Sequence, residues 1–193
     1  MVIVYIHGAS ATSESFTHIR EHIKHQDLVI DYSSLDGFSF NLSSMIKQIE
    51  NIDKIFFIAH SLGGIYALHL ANYFSDKVVG AVTLSTPYGG SKAADYAKYF
   101  LPFSRLMRDI GPNSEPMRLI RSMPVPPNWT NLVTVAGDSP WMHEPNDGVV
   151  THSSMRALPG MDLVELELNH YEIVISNKTI DAIQQCLGKF NQQ

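Results

Sequence analysis

The sequence predicts an α/β fold: a mainly parallel sheet of about six strands, helices on both faces, and a small helical cap. Two observations carry the sheet. Short apolar runs alternate with amphipathic stretches along the chain, the pattern of strands buried on both faces and joined by crossover helices. The strongest run, Ile55-Phe56-Phe57-Ile58-Ala59, ends at His60-Ser61 and passes directly into a Gly-containing helix-like segment. A third observation predicts the cap. Between Pro87 and Pro127 the rhythm breaks, with Pro102, Pro112, Pro116, Pro124 and Pro126 set among large apolar residues.

In chain order, Val2 to Ile6 is a five-residue apolar strand stopped by His7-Gly8. Ser13 is placed to cap a helix in which Phe16, Ile19 and Ile23 share one face. Leu28-Val29-Ile30 is a short strand, and from Asn41 the residues Leu42, Met45, Ile46 and Ile49 recur at helical spacing. After Ile55–Ala59, the segment from Gly63 to Phe74 carries Ile65, Leu68 and Leu70 in a helix-like pattern. Val78 to Leu84, Leu132 to Ala136 and Leu163 to Leu168 are further strands. Ile180, Ile183 and Leu187 mark a closing helix from Asn177. The expected organisation is one domain over residues 1–193, with the cap inserted at about 91–128.

Composition narrows the function. A chain of 193 residues, 45% hydrophobic and 17% charged, is that of an ordinary globular domain. The net charge of −5 and the absence of a Lys/Arg run exclude the footprint of a nucleic-acid binder. No apolar stretch approaches the ~18 residues of a membrane span. The opening run reaches Gly8 too soon for a signal peptide, so a cytoplasmic location is expected. The single cysteine, Cys186, excludes an internal disulfide and offers no metal spacing. No phosphate loop, dinucleotide fingerprint or metal cluster is visible, so no cofactor is expected. The oligomeric state is left open.

Chemistry concentrates in Ala59-His60-Ser61-Leu62-Gly63-Gly64, lying between strand and helix. A sharp strand-to-helix turn strains the serine backbone and lifts its Oγ clear of the sheet. Small residues are needed two positions before and two after, where the turn is crowded; Ala59 and Gly63 meet that demand. Gly64 lets the helix approach closely, and the helix dipole favours negative charge developing at the serine.

With this elbow, the chain resembles the α/β-hydrolase superfamily, and within it the bacterial lipases and lipase-like esterases. The G-x-S-x-G elbow is present with Ala59 as its first residue. His7-Gly8, Asn146-Asp147-Gly148-Val149-Val150 and His170 follow the family's order. Thr86-Pro87-Tyr88-Gly89-Gly90-Ser91 and Asp109-Ile110-Gly111-Pro112-Asn113-Ser114 resemble further lipase segments. The resemblance implies a triad of nucleophile, base and orienting acid, with Ser61 as nucleophile. Nine histidines compete for the base. His18, His22, His25 and His69 fall on helices or near them, and His60 diverges from its neighbour in the turn. His143 and His152 lie near the acid loop as second choices. His170 follows the last strand and satisfies the order Ser, Asp, His, so it is the expected base. Asp147 is preferred to Asp138 because the NDGVV segment resembles the lipase acid loop. The fold further implies an oxyanion hole from the backbone N–H groups of Leu62 and Ala9, with His7 bracing its loop.

In the cap, Tyr96, Tyr99, Phe100, Leu101, Phe103, Leu106, Met107, Met117, Leu119, Ile120 and Met123 are large and apolar, as are Trp141 and Met142 nearby. Tyr88 is a further candidate for the pocket wall. Most of these side chains are expected to pack the cap onto the core and only a few to touch substrate; large apolar groups around an exposed serine favour a small-molecule ester or lipid-like substrate with an aliphatic acyl chain. The expected activity is carboxylic ester hydrolysis of esterase or lipase type. A thioesterase, phospholipase or acyltransferase using the same triad is the alternative, as is a non-catalytic binding protein of the same fold. Some lipases of this type bind calcium, but no residue set here is assigned to it.

Overall fold

The computed structural model describes residues 1–90, 111, 113–140 and 142–190. Six strands form one parallel sheet: β1 (Val2–Ile6), β2 (Asp27–Ile30), β3 (Ile55–His60), β4 (Val78–Leu84), β5 (Trp129–Thr134) and β6 (Asp162–Leu166), in the order β2-β1-β3-β4-β5-β6. The chain first moves outward from β1 to β2, then returns to lay β3 on the other side of β1. That reversal makes the β1/β3 boundary a switch point, where the carboxyl ends of the strands open a crevice for ligands.

Alternation along the strands sends side chains to two separate cores. Val4, Ile6, Phe57 and Ala59 face α2 (Phe38–Ile49) and α3 (Leu62–Tyr73). Ile3, Tyr5, Phe56 and Ile58 instead pack with Phe16, Ile19 and Ile23, around α1 (Thr17–His22), and with Ile180, Ile183 and Leu187 of α6 (Asn177–Phe190). Two shorter helices, α4 (Glu115–Ile120) and α5 (His152–Met155), complete the described α-helices. The expected α/β architecture with helices on both faces is therefore present.

Several boundaries differ from the periodic reading. A 3₁₀ turn, Ser13–Phe16, precedes α1, and its N-cap is Thr12 rather than Ser13. α2 begins at Phe38, three residues before Asn41, and β5 begins at Trp129, where Asn128 adopts a left-handed φ of 60°. α3 is buried almost all round, because it packs in the middle of the sheet face. Its sequence therefore lacks a polar stripe.

Of the cap, residues 91–110 lie outside the described residues, including Tyr96, Tyr99, Phe100, Leu101, Phe103, Leu106 and Met107; so does Trp141. Its described end packs onto the body: Met117 and Ile120 join the α3 core, Met123 packs against it, and Leu119 is exposed. Among the described residues, no helix is long and apolar enough to cross a membrane.

Candidate active site

Register places the carboxyl ends of β1, β3 and β4 side by side, with Ile6 beside Ala59 and His60 beside Leu84. Ser61 follows β3 at once and is the N-cap of α3, with φ 52° and ψ −121°. A left-handed φ at a non-glycine residue is strained. The Ser61 N–H donating to the Leu84 carbonyl at 2.8 Å helps to hold it there. Crowding around the turn falls in a different place from the expected one. A Cβ on Gly63 would lie 2.1 Å from the Ile6 carbonyl oxygen and 2.7 Å from that of His7. Gly63 is thus demanded by the end of β1. Gly64 packs as closely on Thr86, whose Oγ1 would be 2.0 Å from an added Cβ.

The Asn146-Asp147-Gly148 turn is built by its own side chains. Asn146 Oδ1 accepts from the Gly148 N–H, and Asp147 Oδ1 accepts from the N–H groups of Val149 and Val150 at 3.0 and 2.7 Å. Gly148 takes φ +96°, a conformation that glycine adopts without Cβ strain. Behind it, Gly137 lets the chain pass close to the Asp147 backbone.

With Oδ1 so occupied, Asp147 presents Oδ2 to His170 Nδ1 at 2.8 Å. Both residues are buried. Oδ2 also accepts from Thr134 Oγ1 at 2.5 Å. Burial pushes the Asp147 carboxyl up, but His170, Thr134 and the Val150 N–H outweigh it and hold the group below the ordinary carboxylate range. The rivals are placed otherwise: Asp138 and His143 are exposed, and the His152 Nε2 is buried without a hydrogen-bond partner among the described residues.

His60 turns away from a catalytic role of its own and toward the His170 loop. Its Nε2 lies 3.0 Å from the His170 carbonyl oxygen, so it is the donor, and the two rings are 4.8 Å apart. Burial and the neighbouring His170 push its pKa down to about 3, so the ring stays neutral. Ser61 is therefore one residue from a group bonded to the His170 loop. The Ser61 hydroxyl and the His170 ring are not themselves hydrogen-bonded.

The loop after β1 closes the other side. A Cβ on Gly8 would lie 3.2 Å from Ser61 Cβ and 3.1 Å from His60 Nδ1. His7 Nε2 lies 3.4 Å from the Tyr32 N–H that donates to it, leaving Nδ1 as the protonated nitrogen, which donates to the Gly8 carbonyl at 2.8 Å. In a trans peptide the N–H points opposite to the carbonyl, so this bond directs the Ala9 N–H away from His7. Neither the Ala9 nor the Leu62 N–H has a hydrogen-bond partner among the described residues.

Tyr88 departs from its expected place in the pocket. It is buried in the core, donating to Thr83 Oγ1 and accepting from Trp129 Nε1. Residues the sequence reading did not single out are Thr134, behind Asp147, and Ser85, whose Oγ lies 2.8 Å from Thr134 Oγ1. The available signal was the polar character of Thr83, Ser85, Thr86, Asn131 and Thr134 at the ends of apolar strands.

Comparisons with known proteins bear on the family and the fold. A family model described as "Alpha/beta hydrolase family" matches residues 3–171. No curated protein sequence matches the chain. Among solved structures, the chain is similar to the mature Bacillus licheniformis lipase BlEst2, with TM-score 0.72 and 19% identity over 96% of this chain and 91% of that one. It is also similar to an enol-lactonase from Burkholderia xenovorans, with TM-score 0.64 and 14% identity over 100% and 91% of the two chains. The phospholipase PlaB from Legionella pneumophila gives TM-score 0.79 and 14% identity, over 97% of this chain and 58% of that one.

Proposed function

The chain belongs to the alpha/beta hydrolase family, and from that membership we propose that it hydrolyses carboxylic esters through an acyl-enzyme on Ser61. The observation that carries this reading is the buried Asp147–His170 pair, tied by the His60 hydrogen bond to the elbow that holds Ser61. In this reading Ser61 Oγ attacks the ester carbonyl while His170 Nε2 takes its proton. Asp147 holds the ring by Nδ1 and stabilises the imidazolium formed. The negative oxygen of the tetrahedral intermediate accepts from the Ala9 and Leu62 N–H groups, whose freedom from other partners supports the assignment. Collapse expels the alcohol, which receives the proton from His170. Water then repeats the attack and releases the acid. A serine–histidine contact that is loose without substrate and tightens with it is ordinary for such sites.

In the same reading, residues at about 91–128 are a cap inserted in a single domain; Met117 and Ile120 pack it onto the core, and a few of its other apolar side chains touch the acyl chain. The similar structures include a lipase, an enol-lactonase and a phospholipase; a lactone is a cyclic ester, so such names are in keeping with ester chemistry.

Hydrolysis of p-nitrophenyl esters from acetyl to palmitoyl, with Ser61→Ala alongside, tests the proposal. The variant is expected to fold and to lose about six orders of magnitude in kcat. The wild type is expected to be labelled on Ser61 by a fluorophosphonate. Equal turnover by the two proteins would remove the mechanism. Silence of both, without labelling, would favour a binding role.

A further inference from the structure

Behind the Asp147 carboxylate lies a second layer of polar groups that the triad does not use. Thr134, the last residue of β5, and Ser85, the residue after β4, are both fully buried. Thr134 Oγ1 is 2.5 Å from Asp147 Oδ2, and Ser85 Oγ is 2.8 Å from Thr134 Oγ1. The direction of these bonds follows from proton counting. An ionised carboxylate only accepts, so the single Thr134 hydroxyl proton goes to Asp147. Ser85 must then be the donor to Thr134. Ser85 is held for this task in a left-handed backbone, φ 51°, with its N–H on the Leu132 carbonyl at 2.9 Å. The strained residues Ser61 and Ser85 thus follow directly on two adjacent strands, β3 and β4.

We propose that Ser85 and Thr134 are positioning residues, a one-way relay of buried hydroxyls that fixes Asp147 Oδ2 on His170 and sets the pH above which His170 accepts a proton. The proposal rests on the reading of Ser61, Asp147 and His170 as a triad. Among the described residues, few other titratable groups face the pair. From β3 comes His60, neutral and donating to the His170 carbonyl; His7, from β1, acts on His60 at longer range. Tyr171 stands edge-on to the His170 ring at 5.6 Å. From β5, β4 and α5 come Thr134, Ser85 and Met155, all uncharged, Met155 Sδ lying 3.6 Å from Thr134 Oγ1.

The sign of the effect follows. The Thr134 donor draws negative charge away from the oxygen that faces His170. Without it, that charge is concentrated opposite the imidazolium, which then holds its proton more tightly. The orientation of Asp147 is partly kept, because Oδ1 retains the Val149 and Val150 N–H groups.

The experiment compares wild type with Thr134→Val, Thr134→Ser and Ser85→Gly. It reads the acid limb of kcat/KM on p-nitrophenyl esters and, separately, the His170 ring titration by NMR. Thr134→Val is expected to move both midpoints up by about half to one pH unit, with KM little changed. Thr134→Ser keeps the hydroxyl and is expected to titrate like wild type. Ser85→Gly, whose backbone is at ease with a positive φ, is expected to shift the midpoint in the same direction by less. A folded Thr134→Val protein with a wild-type His170 titration would overturn the proposal. Should that variant not fold, an unshifted Ser85→Gly would do the same. The NMR titration needs no turnover, so a failure of the esterase reading is seen separately, in equal rates for wild type and Ser61→Ala.

Discussion

His60 shows how one side chain can serve a site without touching the reacting atoms. Its ring nitrogen donates to the His170 carbonyl at 3.0 Å, and burial with its histidine neighbour pushes its pKa down to about 3. It is therefore a strut, neutral near pH 7, between the elbow and the proposed base. Replacing it by leucine fills similar space but leaves a buried carbonyl without its donor, a cost of about 1–3 kcal/mol. His60→Leu is expected to lower kcat about tenfold with KM nearly constant, whereas His60→Gln, which can still donate, is expected to recover much of the loss. Steady-state kinetics on one ester decides it. Equal kcat for wild type and leucine variant would mean that the strut is dispensable.

Packing of α3 against the sheet depends on two glycines, which sequence reading located but explained only in part. The elbow was legible because the turn demands small residues at fixed offsets from the serine. The partners that demand them, the Ile6 and His7 carbonyls for Gly63 and Thr86 for Gly64, belong to distant strands and leave no local mark. Strand and helix positions were legible from periodicity, since two apolar faces leave runs of five or six residues. Their ends were not, because β5 starts where Asn128 turns the backbone and α2 where Gly37 serves as N-cap. Thr134 and Ser85 were hidden for a related reason: a hydroxyl residue at a strand end looks alike whether it fills space or donates to a carboxylate. Gly→Ala inside a helix ordinarily gains about 1 kcal/mol from propensity, so the two substitutions test packing against that gain. Gly63→Ala meets rigid backbone and is expected to lose several kcal/mol in urea unfolding. Gly64→Ala meets only a side chain, and pairing it with Thr86→Gly is expected to restore most of its loss. If Gly63→Ala were neutral or stabilising, the close seating of α3 on β1 would be wrong.

Across the whole molecule, buried titratable groups predict the shape of stability against pH. Burial depresses the pKa values of His7, His60 and His69. A lowered value means that the unfolded chain binds the proton first, so their contribution is intact above the unfolded value of 6.5 and is lost as pH falls toward the folded values. For His60 that window runs from 6.5 to about 3. At about 1.4 kcal/mol per unit it sets a ceiling on the order of several kcal/mol. Asp147, also lowered, adds its loss below the ordinary carboxylate range. At the other end, burial raises Tyr5, Tyr32 and Tyr88; their contribution is present below pH 10 and is lost as pH rises above it. Net charge pulls the other way on the acid side. The chain carries −5 at pH 7 and reaches neutrality near pH 5.9, which relieves repulsion as pH falls. Spread over a screened surface, those few charges act weakly, whereas each buried histidine must be charged in a dry site. Burial should therefore win. Urea midpoints are expected to be flat from about pH 7 to 9.5 and to fall below about 6.5. His60→Gln is expected to make the acid fall shallower. A midpoint that rose between pH 7 and 5.5 would show charge repulsion to be the larger effect and the buried histidines to be better solvated than their surroundings imply.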